Sequence, residues 1–135
     1  MTENNNQLNI ESSLTLAKEA VKILLEKKGI DVRLFDVRES SAITDFYVNV
    51  TGRSHTQVSS LARDLTDRLS LLGRNELRVE GRQENSWLLV DYGDVIVNVF
   101  DKQTRDFYNL DRHLPSDSQM DISDLIAEVD SKFSV

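Results

Sequence analysis

The stretch W-L-L-V-D-Y-G-D-V-I-V-N-V-F, from Trp87 to Phe100, decides the fold. Two apolar runs rich in β-branched residues, Trp87–Val90 and Val95–Phe100, flank the polar break Asp91-Tyr92-Gly93-Asp94. Runs of this length around a short Gly-containing break predict a β-hairpin. Side chains alternate across a strand, so Val95, Val97 and Val99 line one face of the second strand. Ile96, Asn98 and Phe100 then line the other. The turn places Tyr92 between two acids. It is either an incidental connection in a central hairpin or part of an acidic docking surface.

Working outward, Leu77-Arg78-Val79-Glu80 reads as a short strand, closed by Gly81 and the polar loop Arg82–Ser86. On the other side, Asp101 caps a short helix reaching Leu110, with Phe107 and Leu110 expected to pack on the sheet. Further upstream, Ser54 and Gln57 form a capping-box pattern. The apolar stripe Val58, Leu61, Ala62, Leu65, Leu69 and Leu72 follows and ends at Gly73. Ile30–Val37 and Phe46–Thr51 read as strands. Leu14–Lys28 carries helical spacing at Leu16, Ala20, Ile23 and Leu24, with Gly29 behind it.

The order α-β-β-α-β-β-β-α predicts an α/β (α+β) fold, a mixed five-stranded sheet packed with helices. Residues 1–12 are polar and Asn-rich, and are expected to form a flexible N-terminus. Residues 13–114 form the domain. Residues 115–135, opened by Pro115, make an acidic C-terminal tail with a helical apolar face of Ile122, Leu125, Ile126, Val129 and Phe133. That face either docks on the domain or meets a partner.

At 135 residues the chain supports one hydrophobic core. No apolar run approaches the roughly 20 residues of a membrane span. The first residues show neither a secretory signal nor a transit peptide, and cysteine is absent, which together fit a cytoplasmic location. The net charge of −7 is unevenly placed. Residues 1–84 hold 13 acids against 12 bases, whereas residues 85–135 hold 10 acids against 4 bases. Phosphate backbones repel such a surface, so direct nucleic-acid recognition is not expected. Basic partners are attracted to it; solubility alone also accounts for the charge.

Catalysis finds little support. The two histidines, His55 and His113, are far apart and lack metal-ligand spacing. No phosphate-binding loop or nucleophile elbow is present. Gly52-Arg53-Ser54, between a strand and a helix, resembles the Gly-Ser turn of nucleotidyltransferases, which holds a triphosphate at a helix N-terminus. That chemistry also needs paired carboxylates for two metal ions. The following strand offers only Glu80. The chain therefore reads as non-enzymatic, without cofactor or metal. A metal-dependent nucleotidyltransferase and a general protein–protein adaptor are the alternatives.

A specific set of motifs points further. Ala17-Lys18-Glu19-Ala20-Val21, Asp31–Val37, Thr44–Val48, Thr51–Val58, Arg78–Gly81, Trp87–Val95 and Arg105–Tyr108 occur in the order seen in the ribosomal silencing factor family, related to Iojap. The resemblance covers about residues 14–114. It implies a nucleotidyltransferase-like fold without catalytic carboxylates. It also implies a factor that binds the basic fourteenth protein of the large ribosomal subunit and blocks joining of the small subunit. Translation is thereby repressed when nutrients are limiting, with links to large-subunit maturation and homodimer formation. Matched to the family's hairpin and following helix, the contact residues are Trp87, Asp91, Tyr92, Asp94, Phe107, Tyr108, Leu110, Asp111 and Leu114. Tyr92 and Asp94, in a turn, are expected to be exposed; Trp87 is either core or interface. After Arg112 the family usually shows Leu-Trp where this chain has His113-Leu114.

Overall fold

A computed structural model describes residues 9–81 and 85–133. The elements run α1 (Ser13–Glu26), β1 (Ile30–Asp36), β2 (Phe46–Gly52), α2 (His55–Leu71), β3 (Arg78–Glu80) and β4 (Trp87–Asp91). They continue β5 (Val95–Asp101), α3 (Lys102–Tyr108), α4 (Leu110–His113), β6 (Gln119–Met120) and α5 (Ser123–Phe133). The strands form one mixed sheet in the order β3-β4-β5-β2-β1-β6. Six strands thus replace the expected five. The sixth lies beyond Pro115, with Leu34 opposite Met120 and Phe35 opposite Gln119. Two residues carry no periodicity of their own, so only the partner strand defines β6.

The hairpin pairs Trp87 with Phe100 at its open end and Asp91 with Ile96 near the turn. Gly93 adopts φ 88° in the connection, a conformation that glycine takes at no steric cost. The Asp91 carboxylate accepts a hydrogen bond from the Gly93 N–H at 2.7 Å and stiffens the turn. Strand β5 also pairs in parallel with β2, from Phe46 opposite Val95 to Gly52 opposite Asp101. A parallel pair needs a long crossover, supplied here by α2, β3 and β4. Val95 to Phe100 are buried on both faces, which is why the sequence there is almost continuously apolar.

Helices α1 and α2 cover one face. Leu16, Ala20 and Leu24 from α1, with Val58, Leu61 and Leu65 from α2, share a core with Val48, Val50, Val97 and Val99. Ser54 caps α2 by accepting from the Gln57 N–H at 3.1 Å, while the Gln57 side chain accepts from the Arg53 N–H. After α1, the chain passes so close to β2 that a Cβ on Gly29 would lie 2.5 Å from Val50 Cγ2.

The tail is docked. Val129 of α5 is buried, and Ile122 and Leu125 pack against the core. Lys22 binds Glu128 at 2.9 Å, and Lys132 binds Glu26 at 2.9 Å. Burial pushes the Glu26 carboxyl up, but bonds from Lys132 and Arg68 outweigh it and hold the group below the usual carboxylate range. The expectation of a flexible N-terminus falls mainly on residues 1–8, outside the described residues, as do residues 82–84 of the polar loop and the Phe133 side chain.

Candidate functional site

The second face of the sheet has no long helix over it. Strand alternation turns Trp87 and Leu89, Ile96, Asn98 and Phe100, and Tyr47, Asn49 and Thr51 toward this side. Short α3 and α4 cover only part of it. Asp101 starts α3 by accepting from the Thr104 N–H at 2.8 Å, and its other oxygen lies 2.9 Å from His55 Nε2. Burial pushes the Asp101 carboxyl up, yet the Thr104 and His55 contacts hold it below its ordinary range.

Arg105 is the inward residue of α3 and is only 5% exposed. Its Nε donates to Asp111 Oδ2 at 3.0 Å, and its Nη1 donates to Thr51 Oγ1 at 3.0 Å and to the Asp31 carbonyl at 2.8 Å. Two backbone irregularities make this possible. Strand β1 shifts register between Ile30 and Arg33, with Asp31 at φ 53°, which leaves a carbonyl free of the ladder. Asn109 at φ 51° ends α3 and redirects the chain, so that α4 brings Asp111 back over the sheet.

Beneath α4 runs a line of polar contacts. Asn49 Nδ2 donates to Asp111 Oδ1 at 2.8 Å, and Asn98 Nδ2 donates to Asn49 Oδ1 at 3.0 Å. Trp87 Nε1 donates to Asn98 Oδ1 at 3.0 Å. Asn49 and Asn98 are register partners of β2 and β5 and are buried, so these bonds satisfy amides that water does not reach. For Asp111, burial raises the pKa, but bonds from Arg105 and Asn49 outweigh it and leave the carboxyl below its ordinary value.

Above the ladder lies an aromatic surface. The Trp87 ring lies 4.9 Å from Phe100 and 5.1 Å from Tyr108, centroid to centroid, and Phe107 meets Tyr108 edge-on at 5.0 Å. Phe107 is 80% exposed and Tyr108 51% exposed. Phe107 was expected to pack on the sheet; instead it points to solvent. Each helical residue advances the direction by about 100°. With Arg105 turned toward the buried Thr51 and Asp111, Phe107 faces away.

The fold gathers Trp87, Phe107, Tyr108, Leu110, Asp111 and Leu114 around α3 and α4. Trp87 sits half-buried on the second face, outside the core beneath the long helices. Asp91, Tyr92 and Asp94 lie at the other end of the hairpin. Asp94 is held by Arg74 at 2.7 Å and Asp91 by Arg78 at 3.2 Å. Tyr92, expected to be exposed, is only 4% exposed: alternation puts it on the same side as Leu88 and Val90, in the helix-covered core. Its hydroxyl has no partner among the described residues, and burial pushes the phenol pKa up.

Asn49, Asn98 and Arg105 complete the site without having been singled out in the sequence. The signal was present: V-N-V in both Tyr47–Val50 and Ile96–Val99 sets an amide into a strand otherwise built for burial. Around Gly52-Arg53-Ser54, the nearby carboxylate is Asp101, already engaged as a cap. Glu80 sits on the edge strand β3 and pairs with Arg78 at 3.0 Å. Among the described residues no three His, Asp or Glu side chains converge as a metal site, and no helix is long and apolar enough to cross a membrane.

The family described as "Ribosomal silencing factor during starvation" matches residues 10–134, including the tail. A ribosomal silencing factor of Bacillus subtilis is 34% identical over 105 residues, covering 78% of this chain and 86% of that relative. The chloroplastic protein Iojap of Zea mays is 31% identical, over 78% of this chain and 50% of its own length. A crystal structure of a Chromobacterium violaceum protein superposes with a TM-score of 0.73 at 29% identity, covering 78% of this chain and 91% of that one.

Proposed function

This chain belongs to the ribosomal silencing factor family, and we propose that it binds the large ribosomal subunit and blocks joining of the small one. The partner on the large subunit is its basic fourteenth protein, engaged by Trp87, Phe107, Tyr108, Leu110 and Leu114. The carrying observation is the solvent-facing Phe107–Tyr108 pair packed beside Trp87 on the second sheet face. Aromatic side chains at the centre of a contact, with leucines around them, are what protein–protein interfaces use to gain affinity. The excess of acids in residues 85–135 complements a basic partner and speeds encounter.

The mechanism is steric. A protein seated at the intersubunit face prevents the small subunit from approaching and represses translation while nutrients are limiting. No bond is made or broken, and no cofactor is needed. The fold is that of a nucleotidyltransferase that lacks the metal-holding carboxylates, acting in the cytoplasm and able to pair with a second copy. A role in large-subunit maturation belongs to the same contact.

The test is to add the protein to isolated subunits and follow joining by gradient sedimentation. A falling yield of joined ribosomes, with the protein travelling in the large-subunit fraction, is expected. Undiminished joining at saturating protein would sink the proposal.

A further inference from the structure

We propose that the hydrogen-bond ladder from Trp87 through Asn98 and Asn49 to Asp111 is a positioning device that presets the Trp87 indole for its partner. This rests on the proposed binding surface and adds to it three side chains acting from beneath. Trp87 is a contact residue in that reading; Asn98, Asn49 and Asp111 are positioning residues.

The chemistry of the two ends gives the ladder one direction. An indole N–H can only donate, and an ionised carboxylate can only accept. Between them stand two amides, each able to point either way when alone. Trp87 Nε1–H demands the oxygen of Asn98, which turns the Asn98 NH₂ toward Asn49 Oδ1 at 3.0 Å. The Asn49 NH₂ then meets the Asp111 carboxylate at 2.8 Å. Every donor points toward Asp111, so the bonds polarise one another in series and the charge at the far end strengthens the first. Asp111 is itself fixed by Arg105 at 3.0 Å. The guanidinium is tied in turn to β1 and β2 through the Asp31 carbonyl and Thr51.

The geometry points to orientation as the outcome. The indole is flanked by Phe100 and Tyr108 at tilts of 37° and 51°, contacts that confine the ring without choosing a single rotation. The hydrogen bond to Asn98 selects one. A ring already held in its bound pose loses less freedom on association, and affinity rises accordingly. The ladder also joins α4 to β4 across β2 and β5. The aromatic surface is thereby built on the centre of the sheet and not on a mobile loop.

A double-mutant cycle tests this, with purified large ribosomal subunits as the probe and co-sedimentation as the readout. Asn98→Leu keeps the branched outline with some added bulk and removes the two ladder bonds that Asn98 makes. In the wild-type background it should weaken binding by about tenfold. In a Trp87→Phe background, where no indole N–H exists to orient, the same change should have almost no effect. An equal loss in both backgrounds would mean that Asn98 acts only through general stability, and would overturn the proposal. Should Asn98→Leu fail to fold, Asp111→Asn takes its place. The indole proton of Trp87, the only tryptophan, should then move in the NMR spectrum although Asp111 does not touch the ring; an unmoved resonance overturns the ladder. Wild-type protein that does not co-sediment at all overturns the binding reading and the ladder together. Intact binding by the Asn98→Leu and Asp111→Asn variants overturns the ladder alone.

Discussion

Phe107→Ala should separate the proposed binding from folding. A phenylalanine that is 80% exposed contributes little to the packed interior. Among the described residues its one ring contact is the edge-on approach to Tyr108 at 5.0 Å. Alanine is also the better helix former, by up to about 0.7 kcal/mol, which offsets part of the lost contact. Unfolding free energy should therefore change by less than about 0.5 kcal/mol, the usual range for surface sites. Binding is another matter. An aromatic side chain presents about 200 Å², so four-fifths of it leaves about 160 Å² for a partner, or about 4 kcal/mol at 25 cal/mol per Å². If half of that ceiling is realised, affinity for isolated large subunits falls by about thirtyfold. Urea unfolding measures the first quantity and co-sedimentation the second. Leu71→Ala is the control: Leu71 is 84% exposed but sits at the end of α2, on the helix layer of the opposite face. A stability loss above about 1 kcal/mol would show that the Phe107 ring is packed after all. Equal binding by the Phe107→Ala and wild-type proteins would remove α3 from the interface.

Three further outcomes follow from the buried polar groups. Asp111→Ala removes the nearer carboxylate from Arg105, whose side chain is 6% exposed, and leaves it Thr51, the Asp31 carbonyl and the Asp31 carboxylate at 3.9 Å; it should cost about 3 kcal/mol, read as a urea midpoint lower by about 1 M or more; a loss below about 1 kcal/mol would refute the buried pair. Because the folded Asp111 carboxyl titrates below its unfolded value of about 3.9, its stabilisation is complete above that pH and is lost as pH falls through the lower, folded value. The urea midpoint should fall as the pH drops below about 3.9, less steeply in Asp111→Asn, and parallel declines would assign the acid sensitivity elsewhere. Tyr92→Phe removes a buried hydroxyl without a partner among the described residues, so stability should hold or rise by about 1 kcal/mol; a clear loss would reveal a bond to that hydroxyl.

Much of the architecture was legible because it rests on local chemistry. The β-branched run Val95–Phe100 marks the central strand, the Ser54–Gln57 pair marks the start of α2, and Asp101 marks the start of α3. What escaped depends on partners distant in sequence. Strand β6 exists because β1 offers an edge. Arg105 turns inward because Asp31, 74 residues away, presents a carbonyl at a register shift. An arginine on a short polar helix otherwise reads as solvated. Once Arg105 is inside, Phe107 is outside, so one unseen contact reverses the reading of two residues. The two V-N-V segments were visible, but only the parallel register of β2 and β5 shows that their asparagines meet.

The hairpin therefore does two jobs at its two ends, and the acids around it must be reassigned. At the turn, Asp91 and Asp94 are held by Arg78 and Arg74 while Tyr92 fills the core, so that end fastens the sheet to its neighbours. At the open end, Asp101 caps α3 and Asp111 closes the ladder. Four of the acids that make residues 85–135 so negative are thus engaged within the fold, each beside a basic side chain: arginine for Asp91, Asp94 and Asp111, and His55 for Asp101. The tail beyond Pro115 holds five acids against one base; Glu128 is paired with Lys22 and the base, Lys132, with Glu26, while Asp117, Asp121, Asp124 and Asp130 add the remaining negative charge. Long-range attraction to a basic partner depends on charge that is not neutralised nearby, and it acts mainly on the rate of encounter. Under the proposed function, steering then falls mainly to the docked tail and affinity to the aromatic face. At the hairpin turn, where acids and a tyrosine cluster most visibly in the sequence, Asp91 and Asp94 already meet arginines and Tyr92 is buried, so the proposed contact lies at the other end.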